Sequence, residues 1–586
     1  MVRGALLFHF GLLALTAAAV VLPGMLVVAL LSRGRSYEEI LLRGPAVGFA
    51  AAVYLALVSS YLHLALFWAA WPLLALALFL IVWRIPPRLP WPARLDVVGC
   101  WLVIVIALVL VTRLLPTQWH VLPPGWDSTF HLLLAKKILT TQGMIYDWLP
   151  FEAAGLNYPV GSHLLIAEFS LATGLPPHTV FKFLVPLFGA ITTAQIFVFT
   201  LRVSGHRELA LYAAASYGLL AVLGSIDYYR WGGLPNLIGM SFFLECLIVS
   251  TERRPGMRDV ALFGLLFTAI FFTHHHVMVT AGLTFAAMFV VCLLRREEHA
   301  RTRLILGGLL TSLAIGCFYI VPYALKATGL GDTSIFRFEE TFISFDSFRH
   351  GLGHIFSSLA ALGLATWFAL WGLRRQDVRF DLALWVPLVT IASLFVIFAY
   401  AVRAITLSLY GTAYAVFTPS RFQTDLVYFL AVFAGYIVFA ARRRVPIPVS
   451  AGVSVASLAL LYLAFENRER WNVLYEPNMP YERYMALDWI SKKTPPNTIV
   501  LSNDPAAAYV SWRRTLNTPM PISEPRPKRG LTSKDIVRLR TSKDASAEAR
   551  TWQLVAVAPL STAGPGDEVL WANFEREAVI LKKRAQ

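Results

Sequence analysis

Of the 586 residues, 57% are hydrophobic and only 15% are charged, and the mean hydropathy is +0.61. A soluble globular chain lies nearer half apolar and a quarter charged, so the composition excludes that class and points to a polytopic membrane protein. The net charge of +16 does not imply a nucleic-acid partner, because the positive-inside rule alone produces an excess of Arg and Lys in membrane loops. Taken in chain order, apolar runs predict spans at 5–32, 45–63, 65–83 and 95–115. A long polar interruption follows at 125–161, and 158–175 is expected to lie along the membrane interface as an amphipathic helix. Further spans are predicted at 179–201, 208–225, 232–250, 258–273, 276–294, 303–323, 353–373, 381–402, 422–441 and 447–465, giving about fourteen helices. The first run lacks a cleavage site and reads as a retained span. Cys100, Cys246, Cys292 and Cys317 all fall in apolar runs and read as small buried hydrophobes.

Orientation follows from the basic loops. Clusters that include Arg33, Arg35 and Arg43, then Arg84, Arg88 and Arg94, Arg202 and Arg207, Arg253 and Arg254, Arg295 and Arg301, Arg374 and Arg375, and Arg442 to Arg444 fall on one side with this span set, which makes that side cytoplasmic. The opposite side collects the 125–161 interruption, the turn 227–236, Thr273-His-His-His276, the loop 326–350, the segment 403–421 and the C-terminal region. The last stretch changes character. Helical spacing at 481–491, with strands at 498–502, 553–558 and 579–581, predicts a small α/β domain, and the Pro-rich basic stretch 517–530 predicts a loop. The expected fold class is therefore an α-helical polytopic membrane protein with a small extracytoplasmic α/β domain. Residues 1–94 form accessory N-terminal helices, 95–466 a transmembrane core with an outer loop at 116–178, and 467–586 the soluble domain.

Asp127 and His131 share a helix face at four-residue spacing and form the candidate catalytic pair. Asp127 follows Pro123-Pro124-Gly125-Trp126, so it can cap a helix. At the outer membrane face, where a reaction on a lipid headgroup takes place, it can also act as general base for an acceptor hydroxyl. Arg421 sits at the start of a span after a Pro turn. A guanidinium there is costly without an anion and matches phosphate oxygens in bidentate fashion, which makes Arg421 the first candidate for binding phosphate and Arg403 the second. Arg230 stands on a side otherwise poor in basic residues. Lys136, Tyr229, Asn236, Arg337 and Glu340 complete the candidate substrate contacts, although Lys136 also suits a snorkelling role and Tyr229 suits the aromatic belt. Tyr158 reads as an interfacial anchor. In the His274-His275-His276 run, neighbours on a helix point about 100° apart and cannot all ligate one ion. His275 and His276 read instead as hydrogen-bond donors to a phosphate or sugar. No HExxH or paired-Cys pattern occurs, so no cofactor is assigned, and the metal question rests on a divalent cation such as Mg or Mn held by one of these His with Asp127 or His131.

These motifs together resemble the GT-C superfamily of membrane glycosyltransferases, which use polyprenyl-phosphate-linked sugars on the non-cytoplasmic face. The likeness runs from about residue 95 onward. It rests on Trp126-Asp127-Ser-Thr-Phe-His131, Tyr158-Pro159, the 181–202 span with its basic turn, and Ala486-Leu-Asp-Trp-Ile490 followed by Thr494-Pro-Pro-Asn497. The Tyr-Arg-Trp-Gly-Gly and Thr-Pro-Ser-Arg elements are similar to a poorly characterised prokaryotic branch. The resemblance implies inverting transfer from a polyprenyl-phosphate sugar donor to an extracytoplasmic glycan, lipid or protein. It implies Asp127 as general base or part of a metal site, with Arg421 and Arg230 holding the lipid phosphate. The Trp-Trp-Asp-Tyr-Gly motif of the oligosaccharyltransferase branch is absent, which disfavours sequon-directed transfer to Asn. No second carboxylate pairs with Asp127 in the sequence, Asp147 and Glu152 being only distant candidates. Two other readings remain open at this stage, a flippase for lipid-linked saccharides and a non-catalytic subunit of a surface assembly.

Overall fold

The computed structural model describes residues 2–31, 37–62, 96–117, 120–124, 126–146, 156, 158–220, 228–229, 232–252, 254–295, 298–328, 378, 380–396, 419–444, 481–495, 498–501, 506–512, 514–516, 554–558, 568–573 and 577–581. In chain order its helices are α1 (Val2–Leu31), α2 (Tyr37–Tyr61), α3 (Val97–Thr117), α4 (Trp126–Thr141), α5 (Gly161–Thr173), α6 (Pro177–Ser204), α7 (Arg207–Ala215, continued by a π-helical turn over Ser216–Leu220) and α8 (Leu234–Ser250). They continue with α9 (Met257–Thr273), α10 (His275–Leu294), α11 (His299–Thr328), α12 (Leu382–Val396), α13 (Pro419–Arg444), α14 (Tyr481–Lys493) and the short α15 (Ala507–Ser511). Among the described residues, seven helices are long and apolar enough to cross a membrane, and the two shorter apolar helices α8 and α12 pack with them. The spans expected at 65–83, 353–373 and 447–465 lie outside the described residues, as does the loop expected at 517–530.

The bundle is organised around α6. The apolar window of this helix is 89% buried, against 28% for α3, whose outer face is left for lipid. At one end of the bundle the helix termini are laced by ion pairs. Arg207 meets Glu38 at 2.6 Å and Asp96 at 3.1 Å, Arg202 meets Glu39, Arg301 meets Asp381 at 3.0 Å, and Arg442 meets Glu208. Partly exposed pairs of this kind add little energy singly, but here they gather the ends of seven helices, α2, α3, α6, α7, α11, α12 and α13, into one layer.

The N-terminal hairpin departs from the sequence reading. Helix α2 starts at Tyr37 rather than near residue 45, so Arg43 is not a loop residue; it is fully buried within the helix. Its Nε donates to Glu245 of α8 at 2.6 Å, and its Nη1 donates to Glu39 one turn back at 3.1 Å. Gln195 of α6 joins the same network through Ser241 and Glu245. Helices α1 and α2 cross at glycine contacts. A Cβ on Gly24 would strike the Gly44 carbonyl oxygen and the Gly48 backbone, which is the close approach that a small-xxx-small spacing permits. Two further expectations are corrected here. Cys100 and Cys317 are exposed on outward helix faces, where lipid solvates a thiol as well as a core does, and only Cys246 and Cys292 are buried. Helix α5 is not an interfacial helix with one wet face, since ten of its thirteen residues are buried against α2, α4, α6 and their neighbours.

Beyond α13 lies a five-stranded mixed sheet of order β2-β1-β3-β5-β4, formed by β1 (Ile499–Leu501), β2 (Arg514–Leu516), β3 (Leu554–Ala558), β4 (Glu568–Asn573) and β5 (Glu577–Leu581). Strand β1 pairs in parallel with β2 and β3, while β5 pairs antiparallel with β3 and β4. Helix α14 buries Ala486, Leu487 and Ile490, one apolar stripe at helical spacing. This unit docks on the end of the bundle opposite the ion-paired layer. The Lys136 ammonium donates to the Tyr509 carbonyl at 2.7 Å at the C-terminal end of α15 and lies over the Tyr509 and Trp512 rings. The Tyr509 hydroxyl meets His178 at 2.9 Å, in the first turn of α6.

Candidate active site

Asp127 lies inside the first turn of α4 rather than ahead of it, since the helix already begins at Trp126. The partial positive charge of the helix start favours a carboxylate there. The turn before α8 holds it in place. Gly232 adopts φ +90° and packs directly on the Asp127–Ser128 backbone, and Ser128 donates to the Pro123 carbonyl at 3.1 Å. Across from Asp127, at the start of α13, Arg421 brings Nη2 to 3.7 Å from Asp127 Oδ2. That is an ion pair without a tight hydrogen bond. Both side chains stay partly open, 28% for Asp127 and 23% for Arg421, whereas the imidazoles of His131, His163, His274 and His276 are buried. Partial burial raises the Asp127 pKa above the usual carboxylate value, and the Arg421 charge offsets part of that rise.

One turn along α4, His131 Nδ1 lies 2.9 Å from His163 Nε2 of α5, so one of the two rings donates to the other. Burial drives the His131 pKa well below the ordinary imidazole value, with smaller contributions from His163, Arg421 and His275, and burial takes His163 down to about 3. Both rings are neutral at physiological pH. Tyr158 is the hub of the cluster. Its ring lies 5.6 Å from His131, 5.5 Å from His163, 5.9 Å from His274 and 5.3 Å from His275. The anchoring role expected for Tyr158 is therefore replaced by a buried position among imidazoles.

The His run does not lie on one continuous helix. His274 is extended, with φ −157° and ψ 122°, and breaks α9 from α10, so His275 and His276 open the new helix. His276 is fully buried and its Nε2 lies 2.9 Å from Asp425 Oδ2 of α13. Thr280 donates to the same oxygen at 3.2 Å. Asp425 is the second carboxylate that sequence reading missed. Its signal was an Asp inside an apolar span at four-residue spacing from Arg421. Asn236, in the first turn of α8, is completely buried, and neither atom of its amide has a hydrogen-bond partner among the described residues.

Other predicted residues fall elsewhere. Lys136 is engaged by the C-terminal unit, about 13 Å along α4 from Asp127 by helical rise. Tyr229 is buried with its hydroxyl 3.3 Å from His120 Nδ1. Arg230, Arg337, Glu340 and Arg403, together with Asp147 and Glu152, lie outside the described residues. Among the described residues, no three His, Cys, Asp or Glu side chains are grouped as a ligand set for a metal ion.

Two crystal structures of ArnT from Cupriavidus metallidurans share this architecture. The one bound to undecaprenyl phosphate aligns with a TM-score of 0.52 at 12% identity, over 83% of this chain and 98% of that one. The apo form aligns with a TM-score of 0.53 at 13% identity over the same shares. No protein-family model matches the sequence, and no curated protein matches it. At this identity the likeness is one of fold.

Proposed function

We propose, from the premise that this chain has the fold of the GT-C membrane proteins, that it is an inverting glycosyltransferase using a polyprenyl-phosphate sugar. The observation that carries this reading is the Asp127–Arg421 pair, a partly open carboxylate beside a guanidinium at one end of an apolar bundle. In the proposed reaction an acceptor hydroxyl oxygen attacks the anomeric carbon as Asp127 takes its proton. The bond from that carbon to the phosphate oxygen breaks, and polyprenyl phosphate leaves with the electron pair. Arg421 neutralises the charge that develops on the departing phosphate, where a preorganised cation acts most strongly. The undecaprenyl phosphate held by the ArnT crystal structure supports a lipid-phosphate donor for this chain. The positive-inside rule assigns the ion-paired basic end to the cytoplasm, which puts the site and the sheet unit outside. The acceptor is then a glycan, lipid or protein hydroxyl on that face.

Incubating the purified protein with a panel of polyprenyl-phosphate sugars, followed by mass spectrometry, tests the reading. Transfer by wild type and its loss in Asp127→Asn are the expected results, and full turnover by that variant removes Asp127 from the mechanism. Arg421→Ala should raise the donor requirement far more than the acceptor requirement. The buried Arg43–Glu245–Gln195 network is the feature that favours the flippase reading, since transporters place ionisable groups inside the bilayer. Donor movement across liposomes without a covalent product selects that alternative.

A further inference from the structure

We infer that Asp425 is the positioning carboxylate of this site: held by His276 and Thr280, it locks the second turn of α13 onto α10 and so sets the approach of Arg421, one turn earlier, to Asp127. The functional half of this inference rests on the glycosyltransferase reading; the structural half rests on geometry alone. Asp425 follows Arg421 by one turn on α13, so the two side chains share a face. Its Oδ2 receives both the His276 contact at 2.9 Å and the Thr280 hydroxyl at 3.2 Å. His276 and Thr280 are themselves one turn apart, so a single carboxylate oxygen fastens two successive turns of α10. Asp425 Oδ1 is buried and has no hydrogen-bond partner among the described residues, which leaves the orientation of the carboxylate to Oδ2. The Phe422 ring packs 4.6 Å from the His276 ring and closes the same joint from the side.

The clamp also reaches the other half of the ion pair. From His276 the rings continue to His274 at 6.2 Å, then to Tyr158, and from Tyr158 to His131 on the helix that carries Asp127. Both members of the Asp127–Arg421 pair are thus referenced to one imidazole cluster. Asp425 has no accessible surface, so it acts through its neighbours and does not itself meet a substrate.

Asp425→Asn keeps the shape and removes the charge, and Thr280→Val removes one of the two donors should the first variant fail to fold. Two measurements separate the parts. Binding of bare polyprenyl phosphate is followed by native mass spectrometry in wild type, Asp425→Asn, Arg421→Ala and the double variant. Asp425→Asn should weaken binding about tenfold in the wild-type background and less than twofold once Arg421 is gone, because coupled residues are not additive. Equal losses in both backgrounds overturn the claim that Asp425 works through Arg421. The melting temperatures of Asp425→Asn, His276→Gln and the double variant, read in detergent without ligand, should be strongly non-additive. Additive shifts overturn the clamp itself. A wild-type protein that binds no polyprenyl phosphate overturns the donor reading and, with it, the role of Asp425 in the reaction.

Discussion

Gly232 approaches α4 so closely that a Cβ at this position would stand 2.9 Å from the Ser128 Cα and 3.0 Å from the Asp127 carbonyl carbon. Its φ of +90° is also one that side-chain-bearing residues avoid. Gly232→Ala must therefore displace the turn or the first residues of α4. We expect a loss of about 2–4 kcal/mol, read as a lower melting temperature, together with a fall in transfer because the displaced backbone carries Asp127.

Glu245→Gln leaves the Arg43 guanidinium buried without its full counter-charge. Breaking one partner of a buried pair costs about 3–5 kcal/mol, whereas replacing both by apolar residues is often neutral. The single variant should melt far earlier than Arg43→Met/Glu245→Leu. Equal stability of the two would show that the pair is solvated in the membrane.

The ionisation of Asp127 predicts opposite effects on rate and stability. Its folded pKa is raised, so the acid limb of kcat/KM should lie above the pH expected of an exposed Asp. Because Arg421 holds that pKa down, Arg421→Lys should leave the limb in place and Arg421→Ala should move it to higher pH. A raised carboxylate pKa also means that the fold binds the proton more tightly than the unfolded chain does, so Asp127 destabilises once it is ionised. Asp127→Asn should accordingly melt slightly higher than wild type at neutral pH while losing transfer.

The buried imidazoles titrate in the opposite sense. His163 binds its proton only near pH 3 when folded, while an unfolded His does so near 6.5. Between those values the unfolded chain holds more protons, so stability falls as pH drops through this window, by at most about 1.4 kcal/mol per pH unit for each such His. His131 adds to the same trend. Melting curves from pH 7 to 4 should show this decline, and His163→Asn should flatten it.

Lys136→Met should loosen the sheet unit. Removing a charged hydrogen bond to the Tyr509 carbonyl costs about 1.5–3 kcal/mol at that interface. Hydrogen–deuterium exchange should then speed up in α14 and α15, with the helical bundle unchanged.

The parts of the fold that sequence made legible are those in which local chemistry carries the signal. Apolar length places α3, α6, α9 and α10 within two or three residues of their expected limits, and the strands near 499, 554 and 579 stand out as short β-rich runs. The strands at 514 and 568 were not foreseen, because three polar-flanked residues and a bulged run through Trp571 lack a clean alternation. Arg43 was misplaced for a related reason. Hydropathy scores a buried Arg as a loop residue unless its partner is known, and Glu245 lies 202 residues away. Arg421 stands out because a guanidinium is costly at the start of a span, and Asp127 because it follows a Pro-Pro-Gly-Trp turn at four-residue spacing from His131. The joint made by Asp425, Tyr158 and the imidazoles depends on which helix faces meet, and no local pattern encodes that.

The Arg43–Glu245 bond also constrains how the protein is made. At about 5–20 residues per second, the ribosome needs roughly 10–40 s to reach Glu245 after Arg43 has emerged. Throughout that interval Glu39, one turn back on α2, is the carboxylate this guanidinium already has within the network, and its long side chain can reach the headgroup layer. The contact to Glu245 therefore closes only once α8 has been made, after α2 to α7 have all been synthesised, so the polar network that joins α2, α6 and α8 is a late product of assembly.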